Sequence, residues 1–208
     1  MEALNRVSAE LRVLACPEDS AEAFEPLAAE AGFVLFVGPK DDVLKRYSLA
    51  VRKHDIAHVI RATGDNPFVF TDAANSISEQ AINLGADYAG YIGLPLGGGV
   101  EAINAKALLR AEKNADTPWE REHVCPYLYN HPKMFLLHRP LPLRQWQGMG
   151  MRLTVDIPED YTQAQLLYEA LDAQEKAGEL PDGGRYKGAA IIAAYQKVLQ
   201  KTGKEKSV

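Results

Sequence analysis

Apolar and polar positions along the chain alternate between two periods, and the alternation lays out the elements. Residues 2–10 predict a short helix with Leu4 and Val7 on one side. Residues 11–16 are an apolar run ahead of Pro17 and predict a buried strand. A helix follows from Ser20, with Ala21, Phe24, Leu27, Ala28 and Ala31 at helical spacing; Ser20 suits its N-cap and Gly32 its end. Residues 33–37 predict a second strand, closed by Gly38-Pro39.

The same alternation continues. Residues 41–54, 71–85, 104–114 and 158–176 predict helices, and residues 58–62, 87–92, 135–139 and 152–155 predict strands. Strands that alternate with helices imply a layered α/β fold with a mainly parallel sheet. The short, continuously apolar strands fit a sheet covered on both faces. Residues 93–99 and 115–132 interrupt the pattern with Gly, Pro and aromatic residues, which marks them as functional loops on the scaffold. With 208 residues and no low-complexity linker, the chain reads as one domain, residues 1–208.

Charge and composition narrow the function. The formal net charge is −5, which argues against a nucleic-acid partner, because such binding needs a basic face. No apolar run approaches the ~20 residues that span a bilayer, so no membrane partner is expected. Cys16 and Cys125 lack C-x-x-C spacing and read as reduced, mostly buried thiols of a cytoplasmic protein.

Ligands of an open α/β sheet bind beyond the carboxyl ends of the strands. Asp65 falls there, in the turn Thr63-Gly64-Asp65-Asn66-Pro67 after residues 58–62. Its carboxylate either bonds turn amides or holds a divalent metal. Asp156 repeats the situation after residues 152–155, where it is either a helix cap or a second ligand. The two together would form a magnesium site of few hard oxygen ligands, completed by water and substrate phosphates, provided that the carboxylates lie within about 8 Å of each other. Glu120-Arg121-Glu122-His123 reads either as a solvated helix start or as a cluster whose Arg121 and His123 contact an anion or sugar hydroxyls. His54, His58, His131 and His138 show no metal-ligand spacing. Gly97-Gly98-Gly99 lacks the spacing of a phosphate loop and reads as a flexible pocket lining, and no G-x-S-x-G elbow is present.

Four segments in order resemble one family. Asp41-Asp42-Val43-Leu44-Lys45-Arg46-Tyr47 is similar to a D-D-V-L-x-R-Y segment, and Arg61-Ala62-Thr63-Gly64-Asp65-Asn66-Pro67 to R-x-T-G-D-x-P. Glu120-Arg121-Glu122-His123-Val124 with Pro126-Tyr127 is similar to E-R-E-H-V-x-P-Y, and Leu153-Thr154-Val155-Asp156-Ile157-Pro158-Glu159-Asp160 to L-T-V-D-x-P-E-D. These are segments of the cytidylyltransferases, in the spore-coat polysaccharide branch related to the acylneuraminate and Kdo cytidylyltransferases. The resemblance runs from about Val13 to Leu171, leaving residues 172–208 as a helical extension.

The resemblance implies a nucleotide-diphospho-sugar transferase fold, Rossmann-like and in three layers around a mainly parallel sheet. It implies transfer of a nucleotidyl group, usually CMP, from a nucleoside triphosphate to a sugar or sugar acid in cell-surface polysaccharide biosynthesis, with Mg2+ as cofactor. Asp65 and Asp156 would be the catalytic metal ligands, and Asp42, Arg46, Arg61, Arg121 and His123 would line the nucleotide and sugar sites. Dimers are common in related families, so a homodimer is one expected arrangement. One departure stands out. The family's opening strand and its loop of the type Q-A-R-x-x-S-x-R-L-P-G-K have no counterpart in this sequence. The first strand and phosphate loop are therefore expected to be missing, with a gap in the central sheet and poor turnover of CTP by this chain alone. The alternative expectation is a non-catalytic protein that binds a nucleotide, a sugar or a partner.

Overall fold

The computed structural model describes residues 1–148, 150–180 and 184–202. In chain order the elements are β1 (Val13–Cys16), α1 (Ala21–Glu30), β2 (Val34–Val37), α2 (Val43–His54), β3 (His58–Arg61), α3 (Thr71–Leu84), β4 (Tyr88–Ala89) and β5 (Glu101–Asn104). Then come α4 (Ala105–Asn114), α5 (Pro118–His123), α6 (Pro126–Asn130), β6 (Leu137–His138), α7 (Pro158–Lys176) and α8 (Gly188–Thr202).

β1 and β2 pair in parallel, Val13 opposite Val34. The other four strands form a sheet in the order β3-β5-β4-β6. β4 and β6 are parallel, and β5 lies antiparallel to both of its neighbours, so three of the four strands share one direction. The sheet is thus in two pieces: β1 pairs only with β2, and β3 only with β5, among the described residues. Helix α2 touches β1 and also lays Tyr47 over Arg61 of β3, so it spans both pieces.

Side chains of the four-stranded sheet alternate between two cores, the signature of a sheet covered on both faces. Ile60, Ala89 and Ala102 face α3, α7 and α8, with Phe70, Ile77, Trp146, Leu171 and Ile191. Val59, Tyr88 and Ile103 face α2, α4 and α6, with Leu44, Leu108 and Leu128. Helix ends follow the local chemistry. Gly85 closes α3 in a left-handed conformation and donates its N–H to Ala81. Asp72 accepts the N–H groups of Ala73 and Gly188 and the indole N–H of Trp146, which ties the starts of α3 and α8 together. Arg185 locks α8 to α7 through Glu175 at 2.6 Å and Asp172 at 2.9 Å. Residues 203–208 lie outside the described residues, and with them the end of the expected helical extension.

Three expectations are corrected. Residues 2–10 form only a 3-10 turn at Leu4–Arg6. The Arg12 guanidinium takes the carbonyls of Leu4, Asn5, Val7 and Ala9, which a helix would need for its own amides. β5 (Glu101–Asn104) is a strand that the pattern did not predict: residues 101–103 lay between the expected elements, and Asn104 was expected to open the following helix. Its apolar stretch is only Ala102-Ile103, and these point into opposite cores, so no periodicity shows. Residues 152–155 are extended but belong to no sheet. They form a single bridge, Leu96 to Arg152, with Leu153 N–H on Leu96 O at 2.7 Å and Val155 N–H on Asp65 O at 2.8 Å.

Candidate active site

β3 ends at Arg61, and the chain turns through Thr63-Gly64-Asp65-Asn66. The turn is closed by Asn66 N–H on Thr63 O at 3.2 Å and by the Asn66 side chain on Thr63 Oγ1 at 2.8 Å. Asp65 takes no part in that closure with its carboxylate. Among the described residues no backbone amide donates to it, so the turn leaves Asp65 exposed and available. Gly64 serves the turn without a left-handed backbone, and a Cβ there would meet nothing.

The extended segment 152–155 brings the second carboxylate alongside. Buried Thr154 places its hydroxyl 3.3 Å from Asp65 Oδ2 and 3.5 Å from Asp156 Oδ2. Laid end to end, these distances bound the separation of the two oxygens at about 7 Å. Asp156 is not consumed as a helix cap. Asp160 takes that role, accepting the N–H groups of Asp156 at 3.0 Å and Ile157 at 3.3 Å at the start of α7. Both carboxylates therefore face solvent with the Thr154 hydroxyl between them, and that hydroxyl has one proton for two acceptors. Arg152 bonds to Asp156 and Asp160 from the same segment.

Gly97 fixes the distance between the two segments. Its φ is +89°, and a Cβ there would stand 2.6 Å from Thr154 N and 3.0 Å from Asn66 Oδ1. Only glycine lets the backbone approach both sides so closely. The glycine run read from sequence as a flexible lining is instead a packed wedge, with Gly98 O accepting from Phe70 N–H at 2.9 Å.

A second group of the expected residues gathers around α2, α5 and β5. Asp42 caps α2 through Lys45 N–H at 2.9 Å and pairs with Arg121 at 3.3 Å, so both of its oxygens are engaged. Arg121 also reaches Glu112 at 3.6 Å. Arg46 donates to Pro39 O at 2.7 Å and packs its stem against Gly38, which holds the turn into α2. Arg61 is cross-strand from Glu101 and pairs with it at 2.5 Å; Tyr88 donates its hydroxyl to the other Glu101 oxygen at 2.8 Å. Burial, then the Glu101 charge, raises the Tyr88 phenol and holds the fully buried Cys125 thiol well above its usual range, so neither ionises near neutrality. Cys16 and Cys125 are both buried and unbridged.

His123 ends α5 with its ring 3.7 Å from that of Trp119. The helix is started by a reciprocal cap between Thr117 and Glu120. It is ended by a strained turn: buried Val124 has φ 71° and ψ −56°, with Cys125 N–H on His123 O at 2.8 Å. A β-branched residue there costs on the order of 1–3 kcal/mol, and such strain persists only where the surroundings impose it. Among the described residues, no hydrogen bond or ion pair joins this group to the Asp65–Asp156 pair. What the sequence reading missed are Thr154, Arg152 and Glu101. For Arg152 the only signal is charge spacing, Arg152, Asp156 and Asp160 at intervals of four.

The donor set fits a hard divalent ion. Magnesium takes one or two protein carboxylates and completes an octahedron with water and phosphate oxygens at ~2.1 Å. That asks for ligand oxygens about 3–4 Å apart, which two exposed carboxylates bounded at about 7 Å reach by rotating their side chains. No group of three or more His, Cys, Asp or Glu that could hold a metal ion occurs among the described residues.

Known proteins resemble this chain in sequence and in fold. The chain matches the sequence model of the cytidylyltransferase family over residues 1–180. It is 30% identical over 166 residues to the spore coat polysaccharide biosynthesis protein SpsF of Bacillus subtilis, covering 79% of this chain and 67% of that protein. It is 32% identical over 135 residues to an uncharacterised protein of Methanocaldococcus jannaschii, covering 65% of this chain and 56% of that protein. The chain thus spans about two thirds and about half the length of these two relatives. Among solved structures, a cytidylyltransferase from Leptospira borgpetersenii superposes with a TM-score of 0.74 at 20% identity, over 94% of this chain and 79% of that one, which establishes the shared fold. The family match, over most of the chain, leads to one conclusion: this protein belongs to the cytidylyltransferase family.

Proposed function

We propose that the protein transfers a cytidylyl group from CTP to a sugar or sugar acid, releasing pyrophosphate, in the making of a cell-surface polysaccharide. Asp65 and Asp156 are assigned as the residues that hold Mg2+ in this reaction. The observation that carries the assignment is the single Thr154 hydroxyl set between the two carboxylates. The ion would supply charge neutralisation at the α-phosphate as the sugar oxygen attacks and pyrophosphate leaves.

The protein's own part is positional. Gly97 and the Val155–Asp65 backbone bond hold the two carboxylate segments at one spacing. Asp160 relieves Asp156 of capping duty. Asp42, Arg121 and the strained Val124 turn hold α5 against α2, so that His123 is presented from a fixed helix end. We assign that side to the sugar and the nucleotide. The similarity to SpsF supports the polysaccharide context.

The test is pyrophosphate release from the purified chain with CTP, Mg2+ and a panel of neutral and acidic sugars. Slow, Mg2+-dependent release is expected. Asp65→Asn and Asp156→Asn should each lower it by about 100-fold or more, the scale on which lost electrostatic stabilisation acts. Release that survives both substitutions would refute the assignment.

A further inference from the structure

Arg152 sits beside the carboxylate pair and has a fixed base of its own. Its Nε lies 3.1 and 3.2 Å from the two oxygens of Asp160, and its terminal nitrogen reaches both Asp160 and Asp156. Asp160 is itself held by two backbone amides at the start of α7. The guanidinium is therefore anchored on one side and shared on the other. Asp65 and Asp156 carry two negative charges, and Thr154 offers one proton between them. Among the described residues, Arg152 is the only Lys or Arg bonded to either carboxylate.

We propose that Arg152 is a resident cation of the carboxylate pair, which neutralises Asp156 in the absence of a divalent ion and competes with such an ion for it. This rests on the assignment of Asp65 and Asp156 as metal ligands. The geometry favours exchange over a permanent bridge. The Arg152 and Asp156 side chains are 42% and 50% exposed, so their bond is screened and weak. The hold on Asp160, whose side chain is 13% exposed, keeps the guanidinium in place once Asp156 turns away. Arg152 then remains beside the ion as a positive group facing whatever phosphate completes the coordination. Arg152 is thus a positioning residue: it acts through Asp156 and sets the affinity of the pair for a bare ion.

The experiment is calorimetric titration of the whole chain with manganese chloride, without nucleotide, at low and high salt. Arg152→Gln should bind the ion about threefold tighter than wild type, the amount an exposed ion pair is worth. The gain should shrink in high salt and disappear in an Arg152→Gln, Asp156→Asn double variant. Arg152→Lys, which restores the charge, should return the affinity toward wild type. A merely structural arginine would give unchanged or weaker binding on removal, and either result overturns the proposal. Wild-type binding that is unaffected by Asp65→Asn and Asp156→Asn would instead overturn the metal assignment, and with it this proposal. A thermal melt of each variant confirms that it is folded.

Discussion

Gly97→Ala should push apart the two segments that carry the carboxylates. The added Cβ would lie 2.6 Å from Thr154 N, 2.9 Å from Leu153 C and 3.0 Å from Asn66 Oδ1, and ordinary contact begins at 3.4 Å. Thr154 N and Leu153 C are backbone atoms, so no side chain can swing away, and the segment must retreat by about 0.8 Å. A positive φ adds about 1–2 kcal/mol for a residue with a Cβ, and overpacking adds about 1–3, so the loss should be about 2–5 kcal/mol. For a chain of this size that lowers Tm by about 4–20 °C and leaves the protein folded. A shift of this size in the Thr154 hydroxyl should cost about 10- to 100-fold in pyrophosphate release. The assay pairs urea unfolding, followed by circular dichroism, with pyrophosphate release. Gly64→Ala is the control, because its Cβ meets nothing and its φ is not left-handed, so stability should change by less than about 0.5 kcal/mol. A Gly97→Ala protein with the wild-type unfolding midpoint and wild-type release would refute the spacing argument.

Three further outcomes follow from the same geometry. Thr154→Val keeps the side-chain volume and removes the hydroxyl; its contacts are long, so the stability loss should be only about 1 kcal/mol, while calorimetry should show Mn2+ affinity falling about fivefold. Glu101→Gln strips the charge partner of Arg61, whose side chain is 16% exposed, and should cost about 2–3 kcal/mol in urea unfolding, less than a fully buried pair would. The hydrogen bond from Arg185 holds the Glu175 carboxyl below its usual 4.5. A depressed carboxyl adds stability that is full above 4.5 and fades as pH falls through the folded value, so Glu175→Gln should flatten the decline of Tm below about pH 4.5.

Long, periodic elements were legible in the sequence. The helices α2, α3, α4 and α7 appear within a few residues of their expected bounds, because their apolar positions repeat at 3.6 and their ends carry Asp42, Gly85, Asn104 and Pro158. What was hidden depends on side-chain and backbone partners that periodicity does not register. Residues 2–10 have the apolar spacing of a helix, yet Arg12 captures their carbonyls. β5 holds only two apolar residues, and its strand character comes from pairing with β3 and β4 on either side. The segment before Asp156 has strand-like composition, but its partners are single residues, Leu96 and Asp65. The site shows the same division. Asp65 and Asp156 were readable as carboxylates after apolar runs. Thr154 was visible only as one letter of a motif, because the use of its hydroxyl depends on a contact 89 residues away.

The two groups of site residues differ in what already holds them, and this bears on how a cytidylyltransferase site could work on this scaffold. Asp42, Arg46, Arg61 and Arg121 each have a partner within the protein, and those partners join α2, α5, β3 and β5 around one core. They are stiff, and much of their hydrogen-bonding capacity is spent before any ligand arrives. Asp65 and Asp156 are the reverse: exposed, bonded to one hydroxyl and one screened arginine, and carried on segments joined to each other by a backbone bond and a glycine contact. Charge that develops at a phosphate is best met by groups whose positions are set in advance, and here that setting comes from the segments that carry the carboxylates. Under the proposed metal assignment, the Gly97 wedge and the Asp160 cap set the spacing of the two carboxylates. The seam between the Asp65 turn and the Thr154 segment lies outside every strand of the sheet, so under that assignment a change in its spacing should alter metal binding while the sheet stays intact.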